Sequence, residues 1–160
     1  MRRLAGAVCV AVLATALAAC GHYSNGETAD PDKVDRDLIR AAVAFDVKLD
    51  PFLKTVQRVT ANPGSPTEMP QQLTELAAAF RSGADELANI DFPARMRATA
   101  DRLEDLMSRT GELLDRYATG MVAGDLAEFF EVAPELTKVV EQIPDATADL
   151  RRALGLPVAD

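Results

Sequence analysis

The chain has 160 residues, of which 48% are hydrophobic and 26% charged, the balance of one ordinary globular domain. A formal net charge of −8 argues against a protein that binds the phosphate backbone of nucleic acids. The single histidine, His22, leaves almost no material for histidine-based catalysis or for most histidine-built metal sites. We therefore expect no nucleic-acid partner, no metal and no cofactor.

The first residues have the layout of an export signal. Arg2 and Arg3 are positively charged, and residues 4–19 follow without a charge. That run is shorter than the ~20 apolar residues of a membrane-spanning helix, and its positive, apolar and small parts are typical of a secretory signal peptide. The sequence predicts a signal peptide over 1–19 that is removed from the mature chain.

The signal ends in a short motif, Leu17, Ala18, Ala19 and Cys20. This motif resembles the lipobox of bacterial lipoproteins. The resemblance implies a thioether-linked diacylglycerol on Cys20, cleavage after Ala19, and an exported protein anchored on the outer face of the cell membrane. Two acyl chains, at ~0.8 kcal/mol per buried methylene, hold a protein stably at a bilayer. The alternative is an ordinary signal peptide with an incidental cysteine.

The chain after Cys20 divides into a tether and a domain. Residues 21–30 contain glycine and small polar residues, which is typical of a flexible tether, and ten residues extend at most ~35 Å. From residue 31, apolar positions recur every three or four residues, which predicts helices, and no alternating strand pattern is found. The first such stripe comprises Val34, Leu38, Ala41, Phe45, Leu49, Phe52, Val56 and Val59.

Three further stripes follow, separated by proline- and glycine-containing breaks. The third includes Leu106, and the fourth comprises Leu126, Phe129, Ala133, Leu136, Val140, Ile143, Leu150 and Leu154. Four such segments predict an all-α, antiparallel up-down four-helix bundle over residues 31–156, with a tail at 157–160. Pro51, Pro134 and Pro144 predict kinks in the first and fourth helices. A three-helix bundle with the fourth segment in smaller packed pieces is the alternative.

No arrangement of residues typical of an enzyme is found. The serines have no histidine base on any helix, the glycines form no phosphate-binding loop, and acidic side chains at helical spacing usually form a solvated face. We therefore predict a protein that is not an enzyme and has no catalytic residues.

The beginning of the fourth segment is strongly acidic. Asp125, Glu128, Glu131 and Glu135 all precede its first basic residue, Lys138. Asp125 fits a helix N-cap, whereas Glu131 and Glu135 repel each other one turn apart. These four acids are a candidate binding surface for a basic envelope protein, and ordinary solvated surface is the alternative. In the third segment, Asp105–Arg109 and Glu112–Arg116 are predicted to pair at i,i+4 spacing.

The end of the chain, LRRALGLP at 150–157, gives a loose resemblance to small helical lipoproteins of actinobacteria-like bacteria, which carries no activity over. The sequence therefore predicts a non-enzymatic, lipid-anchored envelope protein that binds or scaffolds another envelope component. The alternative is a carrier of a small apolar ligand within the bundle.

Overall fold

Five α-helices and one 3₁₀ turn form the part of the chain, residues 36–62 and 64–158, that a computed structural model describes. The elements are α1 (Arg36–Ala61), α2 (Met69–Ala88), the 3₁₀ turn (Ala94–Met96), α3 (Arg97–Ala123), α4 (Leu126–Val140) and α5 (Ile143–Ala153). No strand occurs among these residues, so the prediction of an all-α protein is confirmed. The predicted signal peptide, Cys20 and the tether lie outside the described residues.

Side-chain hydrogen bonds mark the positions at which α2 and α4 begin. Before α2, the Glu68 carboxylate accepts hydrogen bonds from the backbone N–H and the hydroxyl of Ser65, both at 2.8 Å. Between α3 and α4, Gly124 adopts a left-handed conformation with φ of 70°, which side-chain-bearing residues rarely adopt. Asp125 then caps α4, accepting from the N–H groups of Ala127 and Glu128 at 3.0 and 3.1 Å. Only residues 124 and 125 therefore separate α3 from α4.

The fourth sequence segment is two helices, α4 and α5, separated by residues 141–142. Pro144 lies in the first turn of α5, where its missing N–H removes no helical hydrogen bond. Pro51 and Pro134, by contrast, lie inside helices that continue past them. Proline therefore divides this segment at only one of its two positions.

The apolar stripes form one continuous core. In α1, the predicted positions from Ala41 to Val59 are all buried. Other stripe positions differ: Leu38, Leu106, Phe129 and Ala133 are only partly buried, and Leu126 is exposed. In α3 the fully buried line instead passes through Met107, which keeps the three- and four-residue spacing from Leu103.

The interface between α2 and α3 is the most extensive in the fold, and glycines bring its helices close together. A Cβ on Gly111 would lie 3.0 Å from the carbonyl oxygen of Ala77 and 2.8 Å from Cγ of Arg81. A Cβ on Gly83 would collide with the Met107 side chain. The close approach of the two backbones at Ala77 therefore depends on the absence of a side chain at position 111.

α1 lies beside α2, α2 beside α3, and α3 beside α4. The ion pairs between these helices are Lys48–Glu86, Arg58–Glu75, Arg116–Glu128 and Arg109–Glu135. Of the two pairs that join the same two helices, the one that starts later in the first helix ends earlier in the second. α5 contacts α3 through Arg102–Asp149 and α1 through Arg151–Asp46. None of the helices described is long and apolar enough to cross a membrane.

Candidate functional site

The four acidic residues singled out in the sequence lie along the side of α4 that faces α3, and two arginines of α3 reach three of them. Arg116 donates to Glu128 through Nε at 2.8 Å and to Glu131 through Nη2 at 3.2 Å. Arg109 donates to Glu135 through Nε at 3.1 Å and Nη2 at 2.5 Å. The fourth acid, Asp125, accepts from the backbone as the N-cap of α4.

These contacts change the electrostatics expected from spacing along one helix. The hydrogen bonds that Arg116 donates to Glu128 and then to Glu131 raise the pKa of Arg116, so its guanidinium stays charged between them. Glu135, and then Glu112 of α3 itself, raise the pKa of Arg109 in the same way. The repulsion expected between Glu131 and Glu135 is therefore offset by a cation beside each of them.

The arginines of α3 do not make the i,i+4 pairs that the sequence suggested. Arg109 contacts Glu112 at i,i+3, at 2.9 Å, and both arginines turn toward α4. Their seven-residue spacing places them on one face of α3, and the same spacing relates Glu128 to Glu135. This shared spacing is the signal in the sequence that would have identified the contact.

Exposed apolar side chains also occur at the corner between α3 and α4. Val122, the last residue but one of α3, has 76% of its surface exposed. Leu126 and Phe130 follow one turn apart on α4 and are 64% and 70% exposed. Together with Asp125 and Glu131, they form what we call the corner surface. Contiguous exposed apolar groups rimmed by polar residues are typical of interaction sites.

Aromatic contacts hold Phe130 in its exposed position. The ring of Phe129 packs on Tyr117, which is buried, with ring centroids 4.7 Å apart. Phe130 stands edge-on to Phe129 at 5.5 Å and an interplanar angle of 90°. Phe129 therefore contacts the buried ring of Tyr117, and Phe130 packs against Phe129 while most of its own surface stays exposed.

A metal site or a buried reactive group would need particular polar groups among the described residues. No group of three or more histidine, cysteine, aspartate or glutamate residues among them could hold a metal ion. Every buried side-chain nitrogen or oxygen in 36–62 and 64–158 has a hydrogen-bond partner. Among the residues that the structure describes, Glu104 of α3 is an acid whose pKa is raised, first by burial and then by the negative charges of Asp101 and Asp105.

No protein-family model, curated protein or solved structure matches this chain. The features of the chain that bear on its function are the corner surface and the sequence motif at Cys20.

Proposed function

We propose that the chain is a non-enzymatic, exported lipoprotein, anchored to the outer face of the cell membrane through a diacylglycerol on Cys20. In this proposal it binds another envelope protein through the corner surface. The observation that carries the binding role is the exposure of Leu126 and Phe130 at the α3–α4 corner, each next in sequence to an exposed acid, Asp125 or Glu131.

The two parts of the corner surface have different tasks in binding. Phe130 is an aromatic anchor of the kind that dominates binding free energy once a partner surrounds it. Asp125 and Glu131 lie at the rim, where charges select a partner of opposite sign and speed its approach. Arg116 neutralises part of the charge of Glu131, so the negative charge of the corner surface is moderate. A matching partner surface is therefore apolar at its centre, opposite Phe130, and basic at the side that faces Asp125 and Glu131.

We also propose that the helices form an antiparallel up-down bundle in which α4 and α5 together serve as the fourth helix, bent at Pro134, and in which α1 bends at Pro51. The order of the ion pairs between neighbouring helices supports this arrangement. The role of the bundle is to hold the α3–α4 corner rigidly, since preorganised surfaces lose less entropy on binding.

Site-directed photocrosslinking in intact envelopes tests the binding role. A benzoylphenylalanine at position 130 should give an adduct with one protein, and the same group at Ala78, an exposed position on α2, should not. With the purified pair, Phe130→Ala should weaken affinity about tenfold or more. Glu131→Gln should slow association chiefly at low salt.

Equal adducts from positions 130 and 78 would contradict binding at the corner. So would unchanged affinity of Phe130→Ala, since that side chain is exposed and its loss leaves the core intact. A small apolar molecule that co-purifies with the chain in native mass spectrometry, without a protein partner, would instead favour the carrier.

A further inference from the structure

Helix α1 has a second apolar face in addition to the one in the core. Ile39, Val43 and Val47 are 48%, 58% and 67% exposed, and their four-residue spacing places them one above another on the helix. The opposite side of the same turns is buried through Phe45 and Leu49. A surface helix normally turns a polar face to water, so these three residues, the α1 stripe, are a feature that the bundle does not explain.

The charges beside the α1 stripe differ from those at the corner surface. Arg36 and Arg40 are exposed and lie on the side of α1 that carries Val43 and Val47, because these four positions are spaced by four, three and four residues. Arg40 is hydrogen-bonded to Asp37 at 3.3 Å, and farther along the helix Lys54 pairs with Asp50 at 2.6 Å. The N-terminal half of α1 therefore combines an exposed apolar face with two arginines. The corner surface differs, because its charged residues are the acids Asp125 and Glu131.

We propose that the α1 stripe lies on the surface of the lipid bilayer, with its aliphatic side chains among the headgroups and Arg36 and Arg40 at anionic phosphates. Helices that lie on a membrane combine these two features. The proposal rests on the lipid anchor in the proposed function. It adds that the folded domain itself contacts the membrane, in a fixed orientation.

The position of the stripe in the chain favours the bilayer as its occupant. Fifteen residues, 21–35, separate Cys20 from Arg36, which is the first residue of α1. Sixteen chain steps extend at most ~55 Å, so the anchor holds α1 close to the membrane at a high effective concentration. A face that would bind lipid only weakly by itself is then occupied for much of the time.

A second copy of the chain fits the stripe less well. The stripe extends over only ~12 Å of helix from Ile39 to Val47, at 1.5 Å per residue. Stable dimers bury ~800 Å² on each partner, which three aliphatic side chains do not supply. Charge also distinguishes the α1 stripe from the corner surface as a site for lipid. The acids Asp125 and Glu131 of the corner surface would be repelled by an anionic lipid surface, whereas Arg36 and Arg40 would be attracted to it.

A fluorescent label at one position tests the contact directly. If the signal peptide leaves and Cys20 is acylated, the mature chain has no free thiol, so Val43→Cys can be labelled selectively with a polarity-sensitive fluorophore. The full mature chain is placed in vesicles of phosphatidylglycerol and phosphatidylethanolamine that contain spin-labelled lipid. The matched control is Val122→Cys, which is also exposed but belongs to the corner surface.

We expect lipid quenching at position 43 to exceed that at position 122 at least threefold, with a blue-shifted emission. In the same vesicles, Arg36→Gln combined with Arg40→Gln should at least halve the quenching at position 43, and it should have little effect in phosphatidylcholine. Equal quenching at 43 and 122 on an anchored chain would overturn the inference and leave the anchor standing. Shielding at 43 without lipid quenching, together with disulfide-linked dimers of Val43→Cys, would show a second copy instead.

The state of Cys20 is measured separately, by mass spectrometry of its peptide. If Cys20 carries no acyl group, the anchor fails, and the thiol of Cys20 is then removed by Cys20→Ser before labelling. The same labels are scored after that chain is added to vesicles. Quenching at 43 above that at 122 would still support the stripe, and equal quenching would overturn both proposals.

Discussion

Glu75 and Glu104 are carboxylates whose pKa values move in opposite directions from the usual 4.5. Arg58 donates to Glu75 through Nη1 at 3.2 Å and through Nη2, and this hydrogen bonding lowers the pKa of Glu75. Burial raises the pKa of Glu104, helped by the negative charges of Asp101 and Asp105. A shifted pKa in the folded state makes stability depend on pH.

Substitution of these two glutamates should therefore give opposite results. The contribution of Glu75 is present above its unfolded pKa and is lost as the pH falls through its lower folded value. Glu104 costs stability at neutral pH, and that cost vanishes as the pH falls below its unfolded pKa. In thermal melts at about pH 7, Glu75→Gln should lower the midpoint temperature and Glu104→Gln should raise it, both effects shrinking toward about pH 3. Shifts of the same sign for both variants would contradict this account.

Leu106 and Leu114, about two turns apart on α3, differ in how much they contribute to the core. Leu114 is fully buried, whereas Leu106, which the sequence placed in the stripe, is half-buried. Leu114→Ala should cost ~2–5 kcal/mol of unfolding free energy, because it removes buried methylenes and leaves a cavity. Leu106→Ala should cost ~1 kcal/mol. Urea titrations measure both, and equal costs would place Leu106 in the core after all.

The contact between α2 and α3 predicts the effect of a single methyl group. Alanine is favoured over glycine inside a helix by ~1 kcal/mol, but a Cβ on Gly111 meets the backbone oxygen of Ala77, which cannot move alone. Overpacking of this kind costs ~1–3 kcal/mol, so Gly111→Ala should destabilise the fold. Gly120→Ala is the control, because its nearest neighbour is the flexible side chain of Glu128 at 3.3 Å. A Gly111→Ala variant as stable as Gly120→Ala would show that the helices separate freely.

Periodicity along the chain predicted which side of each helix is buried, and it did so best where a helix is covered along its length. Phe45, Leu49 and Phe52 of α1 are examples. Leu126 fits the period of its helix and is nevertheless exposed. Periodicity reports the direction of a side chain, and it does not report where the neighbouring helix ends.

The candidate site was predictable only in part, for a similar reason. The acidic run at the start of α4 is visible in the sequence, and Asp125 was identified correctly as an N-cap. The partners of Glu128, Glu131 and Glu135 lie on another helix, so sequence neighbours could not reveal them. Contacts between helices depend on their relative register, which core packing sets.

At the scale of the whole molecule, the predicted anchor depends on one sulfur atom. Cys20→Ser removes the nucleophile that would carry the diacylglycerol, and so it should abolish incorporation of labelled fatty acid and block normal processing. Cys9→Ser is the control, because Cys9 lies within the predicted signal and should leave both unchanged. Labelling and membrane fractionation measure the outcome. A Cys20→Ser variant that labels like the parent chain would rule out the anchor.

The placement of α1 also determines how the molecule would bear a mechanical load. α1 packs mainly on α2 and is tied to α5 through Asp46 and Arg151. Arg151 also donates a hydrogen bond to the carbonyl of Pro157, so the same guanidinium links the segment after α5 to α1. A pull from the side of Arg36 would peel α1 from α2 one turn at a time, and the closely packed α2–α3 interface would bear the force only afterwards. The helix nearest the tether would thus yield first and protect the α3–α4 corner from strain.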